Sequence, residues 1–169
     1  YMVDHPRIPE HDVLSIARQL TGALKFAHEL SAEVSGGQSI KGILHRDIKP
    51  ENVMITSAKE VKLMDFGAAK PLNTSSHTVK GLVIGTIQYM SPEQLSGQDL
   101  DVRSDFFSLG ILLYELLAGR KPFDAENLTE LIERIKHCRY TRLRKIRPSV
   151  SPLTEELIDH LLTKNRNHR

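Results

Sequence analysis

Apolar residues recur along much of this chain at spacings of three and four. Between Pro9 and Glu29 they fall at Val13, Ile16, Ala17, Leu20, Leu24 and Ala27. That period places all of them on one side of an α-helix. Pro9 and Glu10 suit its start, where a missing N–H costs nothing and a negative charge favours the dipole. From Val102 to Ala118 the pattern changes. Phe106, Phe107, Leu109, Ile111, Leu112, Leu113, Leu116 and Leu117 surround the helix almost completely, which predicts an element at the centre of a core. Gly119 is suited to end it, and Pro122 prevents its return. Leu128, Leu131, Ile132 and Ile135 predict a further amphipathic helix. A last one opens at Ser151-Pro152, with Leu153, Leu157, Ile158, Leu161 and Leu162 expected inward.

Strand-like runs are short. Val53–Thr56 and Val61–Met64 flank the turn Ser57-Ala58-Lys59-Glu60 and predict a hairpin. Folded about its centre, this pair puts residue 55 opposite 62 and Asn52 opposite Asp65. Two oxygen donors then meet at the open end, an arrangement suited to magnesium, which takes hard oxygens and few protein ligands. The plainer reading is a pair of polar strand ends. The polar stretch 31–42, centred on Gly36-Gly37, is expected to be a surface loop inserted before Ile43-Leu44 re-enters the core. Residues 65–93 are long, mostly irregular and rich in Ser, Thr and Gly. Such a segment inside a compact domain is functional or disordered. Arg139–Arg147 is basic, and a solvated connector is its expected role.

Composition narrows the classes. A chain of 169 residues fits one domain or one large lobe, and a net charge of +2 argues against nucleic acid or a membrane surface as partner. The run 109–118, interrupted by Glu115, is too short to span a bilayer. Cys138 is the only cysteine, so no internal disulfide and no cysteine metal site is available. A reducing cytosol, hence a cytoplasmic location, is the easiest fit. The chain opens at Tyr1 without a signal-peptide pattern, and a fragment or processed product is expected.

Candidate chemistry sits between residues 45 and 67. His45-Arg46-Asp47-Ile48-Lys49-Pro50-Glu51-Asn52, followed by Asp65-Phe66-Gly67, supplies one base-like carboxylate, a lysine, an amide and a second carboxylate. These motifs resemble the catalytic loop and magnesium loop of protein kinases. With Gly85–Glu93, Ser104–Gly110 and Arg169 they make five ordered landmarks that resemble the carboxy-terminal lobe of a eukaryotic-type protein Ser/Thr kinase, in the style of bacterial members.

The resemblance implies an α+β, mainly α fold over residues 1–169, with a β-hairpin at the cleft and the ATP-binding amino-terminal lobe absent. It implies Asp47 as catalytic base, Lys49 neutralising the transferring phosphoryl group, and Thr86 bridging the two. ATP and Mg2+ are the implied cofactors, with Asn52 and Asp65 as metal ligands and Lys49, Glu51 and Met54 beside the nucleotide. Residues 65–93 become an activation segment. Thr78, or else Thr74, Ser75 or Ser76, is its phosphate acceptor, and the phosphate pairs with Arg46. An unmodified polar loop is the alternative. Leu82, Val83 and Ile84 would help to dock the residue after the phosphoacceptor. His45, Phe66 and Gly67 are implied as loop supports. Glu93 is expected to pair with Arg169, and Asp105 to hold the catalytic-loop backbone. Glu51 and Glu115 stand where some members bind substrate arginines.

Departures matter too. No GxGxxG turn, no lysine in a Val-Ala-Ile-Lys context and no pairing glutamate can be assigned. The expectation is therefore a catalytic lobe acting on Ser/Thr hydroxyls of proteins, inactive alone and dependent on a missing lobe in cis. A freestanding kinase-like lobe serving as an interaction module is the alternative. Small-molecule phosphotransferases share the fold, but the motif set argues against them.

Overall fold

A helix apolar on nearly every side can only be satisfied at a centre, and α4 (Val102–Ala118) is that centre: Phe107, Ile111 and Leu117 are fully buried. The Asp101 side chain caps its start by accepting from Arg103 N, and Gly119, at φ 73°, ends it in the left-handed conformation. The computed structural model describes residues 7–34, 38–66, 70–71 and 84–169.

The architecture is helix-rich with short antiparallel strand pairs. Before α4 come α1 (Glu10–Glu29), β1 (Ser31–Val34), β2 (Gln38–Lys41), β3 (Ile43–Leu44), a 3-10 turn (Pro50–Asn52), β4 (Val53–Ile55), β5 (Val61–Leu63), β6 (Lys70–Pro71), α2 (Ile84–Ile87) and α3 (Pro92–Leu95). After it come α5 (Leu128–Lys136), α6 (Leu143–Ile146), α7 (Pro152–Leu161) and a 3-10 turn (Arg166–His168). The strands pair as β1–β2, β3–β6 and β4–β5.

Helix α1 buries the six residues its period selects, Val13 through Ala27, against α4. Helix α7 reaches α4 at Gly110, where a Cβ would lie 2.8 Å from Leu161 Cβ. The missing side chain is what lets these two helices approach.

Several expectations need correction. Leu153 and Leu157 do not face inward: they are 76% and 40% exposed, and Thr154, Ile158 and Leu162 are buried instead. Ser151 caps α7 and donates through N and Oγ to the Glu10 carboxylate, while Thr154 Oγ1 donates to the same group. This tie to the start of α1 rotates the inward stripe by one residue. The stretch 31–42 is no irregular loop. Residues 31–34 and 38–41 pair as antiparallel strands, with Ala32 opposite Ile40 and Glu33 opposite Ser39. The basic run is more than a connector: Leu143 is fully buried, and Arg147 Nη1 donates to the carbonyls of Ile8 and Leu117.

The hairpin register also differs by one residue. Ile55 faces Val61 and Val53 faces Leu63, and Met64 N donates to Asn52 O at 2.8 Å. Asn52 therefore stands opposite Met64, with Asp65 one step beyond. The cause is Lys59, which takes a left-handed φ of 60° and closes a tighter turn, with Thr56 bonded to Glu60. Three-residue hairpin loops commonly hold such a residue. Gln19 of α1 fastens the hairpin to the helical body by donating to Lys59 O and accepting from Val61 N.

Candidate active site

The segment 45–52 is held from below. Asp105, in the first turn of α4, is fully buried. Its carboxylate accepts from His45 N at 2.9 Å and Arg46 N at 2.8 Å. His28 Nε2 lies 2.8 Å from Asp105 Oδ2, and since a carboxylate only accepts, the imidazole N–H donates. Arg46 takes φ 69°, a conformation that costs a non-glycine residue ~1–2 kcal/mol. Its amide is fixed by Asp105 and its carbonyl by Gln94 Nε2 at 3.0 Å, so the strain is held from both sides.

That backbone turn presents Asp47. Lys49 Nζ lies 2.8 Å from Asp47 Oδ2. Asn52 Nδ2 donates to Asp47 Oδ2 at 3.0 Å and to Asp47 O at 2.7 Å. Lys49 also approaches Thr86 Oγ1, at 3.4 Å. Two donors thus converge on one carboxylate oxygen, and the other, Oδ1, is buried and has no hydrogen bond among the described residues. A hydroxyl proton is what such an acceptor would take. Arg46 Nε is likewise buried, with no hydrogen-bond partner among the described residues.

Asn52, 6% exposed, uses its amide nitrogen on Asp47. Its oxygen is therefore the group left for a ligand. Asp65 is exposed and adopts φ 58° at the end of β5. An amide oxygen and a carboxylate on neighbouring strand ends fit magnesium, which keeps most of its shell as water or phosphate. Among the described residues no cluster of three or more His, Cys, Asp or Glu side chains could hold a metal by itself.

His45 is fully buried, and its Nε2 lies 2.9 Å from Met64 O. A carbonyl only accepts, so Nε2 carries the proton and Nδ1 faces Asp47 N at 3.4 Å. Both ring nitrogens are occupied by backbone, and the Phe66 ring packs edge-on at 4.7 Å. Met54, 41% exposed, stands opposite Lys62 on the hairpin, and Glu51 is exposed.

Further out, Glu93 and Arg169 form a bidentate pair, with Nη1–Oε1 at 2.6 Å and both side chains buried. Burial pushes the Glu93 carboxyl up, but the Arg169 guanidinium outweighs it and holds the group below the usual range. Ser104 Oγ adds a third hydrogen bond. Glu115 is 3% exposed and accepts from the Tyr89 hydroxyl. Burial first, and then Glu115, push the Tyr89 hydroxyl well above its ordinary value. Glu115 is therefore closed to solvent here. Gly67, Thr74, Ser75, Ser76 and Thr78 lie outside the described residues, as do Leu82 and Val83.

Sequence reasoning missed His28 and Gln94. His28 follows Leu24 by four on the buried face of α1, a weak signal. Gln94 was readable: Ser91-Pro92-Glu93-Gln94 matches a capping box, in which the fourth residue reaches back to the first amide.

Residues 1–169 match the protein kinase domain family. The chain is 32% identical over 164 residues to serine/threonine-protein kinase PknL of Mycobacterium tuberculosis, covering 97% of the chain and 38% of that protein. It is 37% identical over 151 residues to PknA of the same species, covering 86% and 34%. A probable serine/threonine-protein kinase of Clostridium acetobutylicum is 40% identical over 123 residues, covering 73% and 17%. The chain spans less than two fifths of the length of each of these relatives. With its loop, hairpin and Glu93–Arg169 pair arranged as described, the chain belongs to the protein kinase family, in the eukaryotic-type Ser/Thr style of bacterial members.

Proposed function

We propose that this chain is the catalytic and substrate-facing lobe of a protein Ser/Thr kinase, working on the cytosolic side of the cell. The observation that carries the reading is the convergence of Lys49 and Asn52 on one oxygen of Asp47, while Oδ1 has no hydrogen bond among the described residues. Asp47 orients the acceptor hydroxyl and takes its proton. Its main value is alignment of the nucleophile, because the transition state is loose. Lys49, steadied by Thr86, offsets negative charge on the group in transfer. Asn52 and Asp65 hold Mg2+, and ATP supplies the phosphoryl group. Met54, exposed on β4, and Glu51 border the nucleotide. His45 and Phe66 support the loop, and Asp105 fixes its backbone. Glu93 and Arg169 anchor an activation segment running over residues 65–93. A phosphate on Thr78, or on Thr74, Ser75 or Ser76, would pair with Arg46. The stretch 31–42 is a surface insertion.

No glycine-rich phosphate turn occurs in these 169 residues. We take ATP to be held by a second lobe in cis, and the chain alone to transfer no phosphate. Retention of Asp47, Lys49, Asn52 and Asp65 disfavours a purely scaffolding role. The test joins the chain to an ATP-binding lobe and measures label transfer from ATP to a protein substrate. Asp47→Asn is expected to abolish transfer while nucleotide still binds, and robust turnover by that variant would refute the assignment. For the chain alone, incorporation above an Asp65→Ala control would overturn its inactivity.

A further inference from the structure

A cavity of about 410 Å³ lies between α3, the end of α5 and the stretch Lys164–Asn167. We propose that it binds a phosphomonoester dianion carried on a polypeptide. The site does not depend on phosphotransfer by this chain.

Its walls carry the cations Lys136, Lys164 and Arg166, together with His137. The one carboxylate in the wall, Glu93, is already bound by Arg169 and Ser104. Neither Lys136 nor Lys164 forms an ion pair among the described residues. Lys164 Nζ instead lies 3.4 Å from His137 Nδ1. The acids nearby are engaged elsewhere or shared: Glu133 faces His137 Nε2 at 3.4 Å, and Asp101 is shared between Arg103 and Arg166 at 3.8 and 3.9 Å. Cations at the end of α5 alone would need no ligand, since the helix dipole favours them there. Lys164 and Arg166 come from a separate segment, however, and like charges gathered from two elements repel until an anion separates them.

The amides sharpen the chemistry. Asn167 Oδ1 accepts from Arg103 Nη1 at 2.7 Å, and Asn165 Oδ1 accepts from Asn167 N at 3.1 Å. Both oxygens are used, so the groups left to face a ligand are N–H donors. Donors and cations of this kind suit an oxyanion. Size favours a phosphorylated side chain with its backbone over free phosphate. A bare ion has the bulk of a few waters at ~30 Å³ each and would leave most of the cavity open.

The test is an NMR titration of the 169-residue chain with a Gly-Gly-phosphoserine-Gly-Gly peptide, its glutamate counterpart and inorganic phosphate. The phosphopeptide is expected to shift the amides of Lys136, His137 and 164–167 saturably. Lys136→Ala with Lys164→Ala should weaken it by about tenfold or more, as for lost charge-assisted bonds. The charge-matched pair Lys25→Ala with Lys145→Ala should not. Far-UV CD checks each fold, and Lys136→Gln with Lys164→Gln replaces the alanine pair if that pair unfolds. Absent saturable shifts, or equal loss in both pairs, overturn the site. Inorganic phosphate binding as tightly as the peptide overturns the polypeptide source, and so does equal binding of the glutamate peptide for the phosphate.

Discussion

His28 Nε2 and Asp105 Oδ2 lie 2.8 Å apart, in side chains 7% and 1% exposed. The pair joins the end of α1 to the start of α4, and the same carboxylate carries the amides of His45 and Arg46. Replacing His28 by alanine takes a donor from a buried anion. The expected loss is ~1–3 kcal/mol in urea unfolding, with faster hydrogen exchange at the His45 and Arg46 amides. His11→Ala, at a ring 80% exposed, is the control and should stay within ~0.5 kcal/mol. Equal behaviour of the two variants would remove His28 from the support of the loop.

Arg169→Ala leaves Glu93 buried without its partner, a change that costs ~3–5 kcal/mol. Arg169→Lys should recover only part, because a lysine cannot make the bidentate contact. Since the folded Glu93 carboxyl lies below its ordinary 4.5, the native state favours its ionised form. That contribution is complete above about pH 4.5 and is lost as pH falls through the lower folded value. Melting curves from pH 7 to pH 3 should show wild type losing its advantage over Arg169→Ala in the acid part of that range.

Gly110→Ala sets two effects against each other. Alanine favours a helix by up to ~1 kcal/mol over glycine. Its Cβ, however, would stand 2.8 Å from Leu161 Cβ and 3.1 Å from Leu162 Cδ2. Overpacking of this kind costs ~1–3 kcal/mol, so the expected sum is a lower melting temperature. A variant as stable as wild type would mean that α7 can slide away from α4 freely.

Cys138 is held back from reaction. Burial pushes its thiol up to about 11, against a smaller opposing pull from Arg169 and Lys164. At pH 8 only about one molecule in a thousand carries the thiolate, which is the reactive form. Alkylation by iodoacetamide should therefore be far slower than for free cysteine and should reach that rate in urea.

With an ATP-holding lobe present, Lys49→Ala is expected to lower kcat by ~10²–10³, the scale of losing one electrostatic donor. Thr86→Ala, which only frees Lys49 from a long 3.4 Å contact, should cost about tenfold. Steady-state kinetics would separate the two, and a larger loss from Thr86→Ala would place that hydroxyl on the reacting groups.

Local patterns set much of this protein in advance. The period of α1, the wholly apolar α4 and its Gly119 stop depend on neighbours within a turn or two, and so does the spacing of Asp47, Lys49 and Asn52. Each could be read from the chain. Contacts between distant residues decided the rest. The face that α7 turns inward follows from Glu10, 144 residues from Thr154. The hairpin register follows from one left-handed lysine, a choice that no period of hydrophobic residues encodes. The support beneath residues 45–52 needs His28 and Asp105, 77 residues apart, and only packing α1 against α4 brings an ordinary histidine to a buried carboxylate.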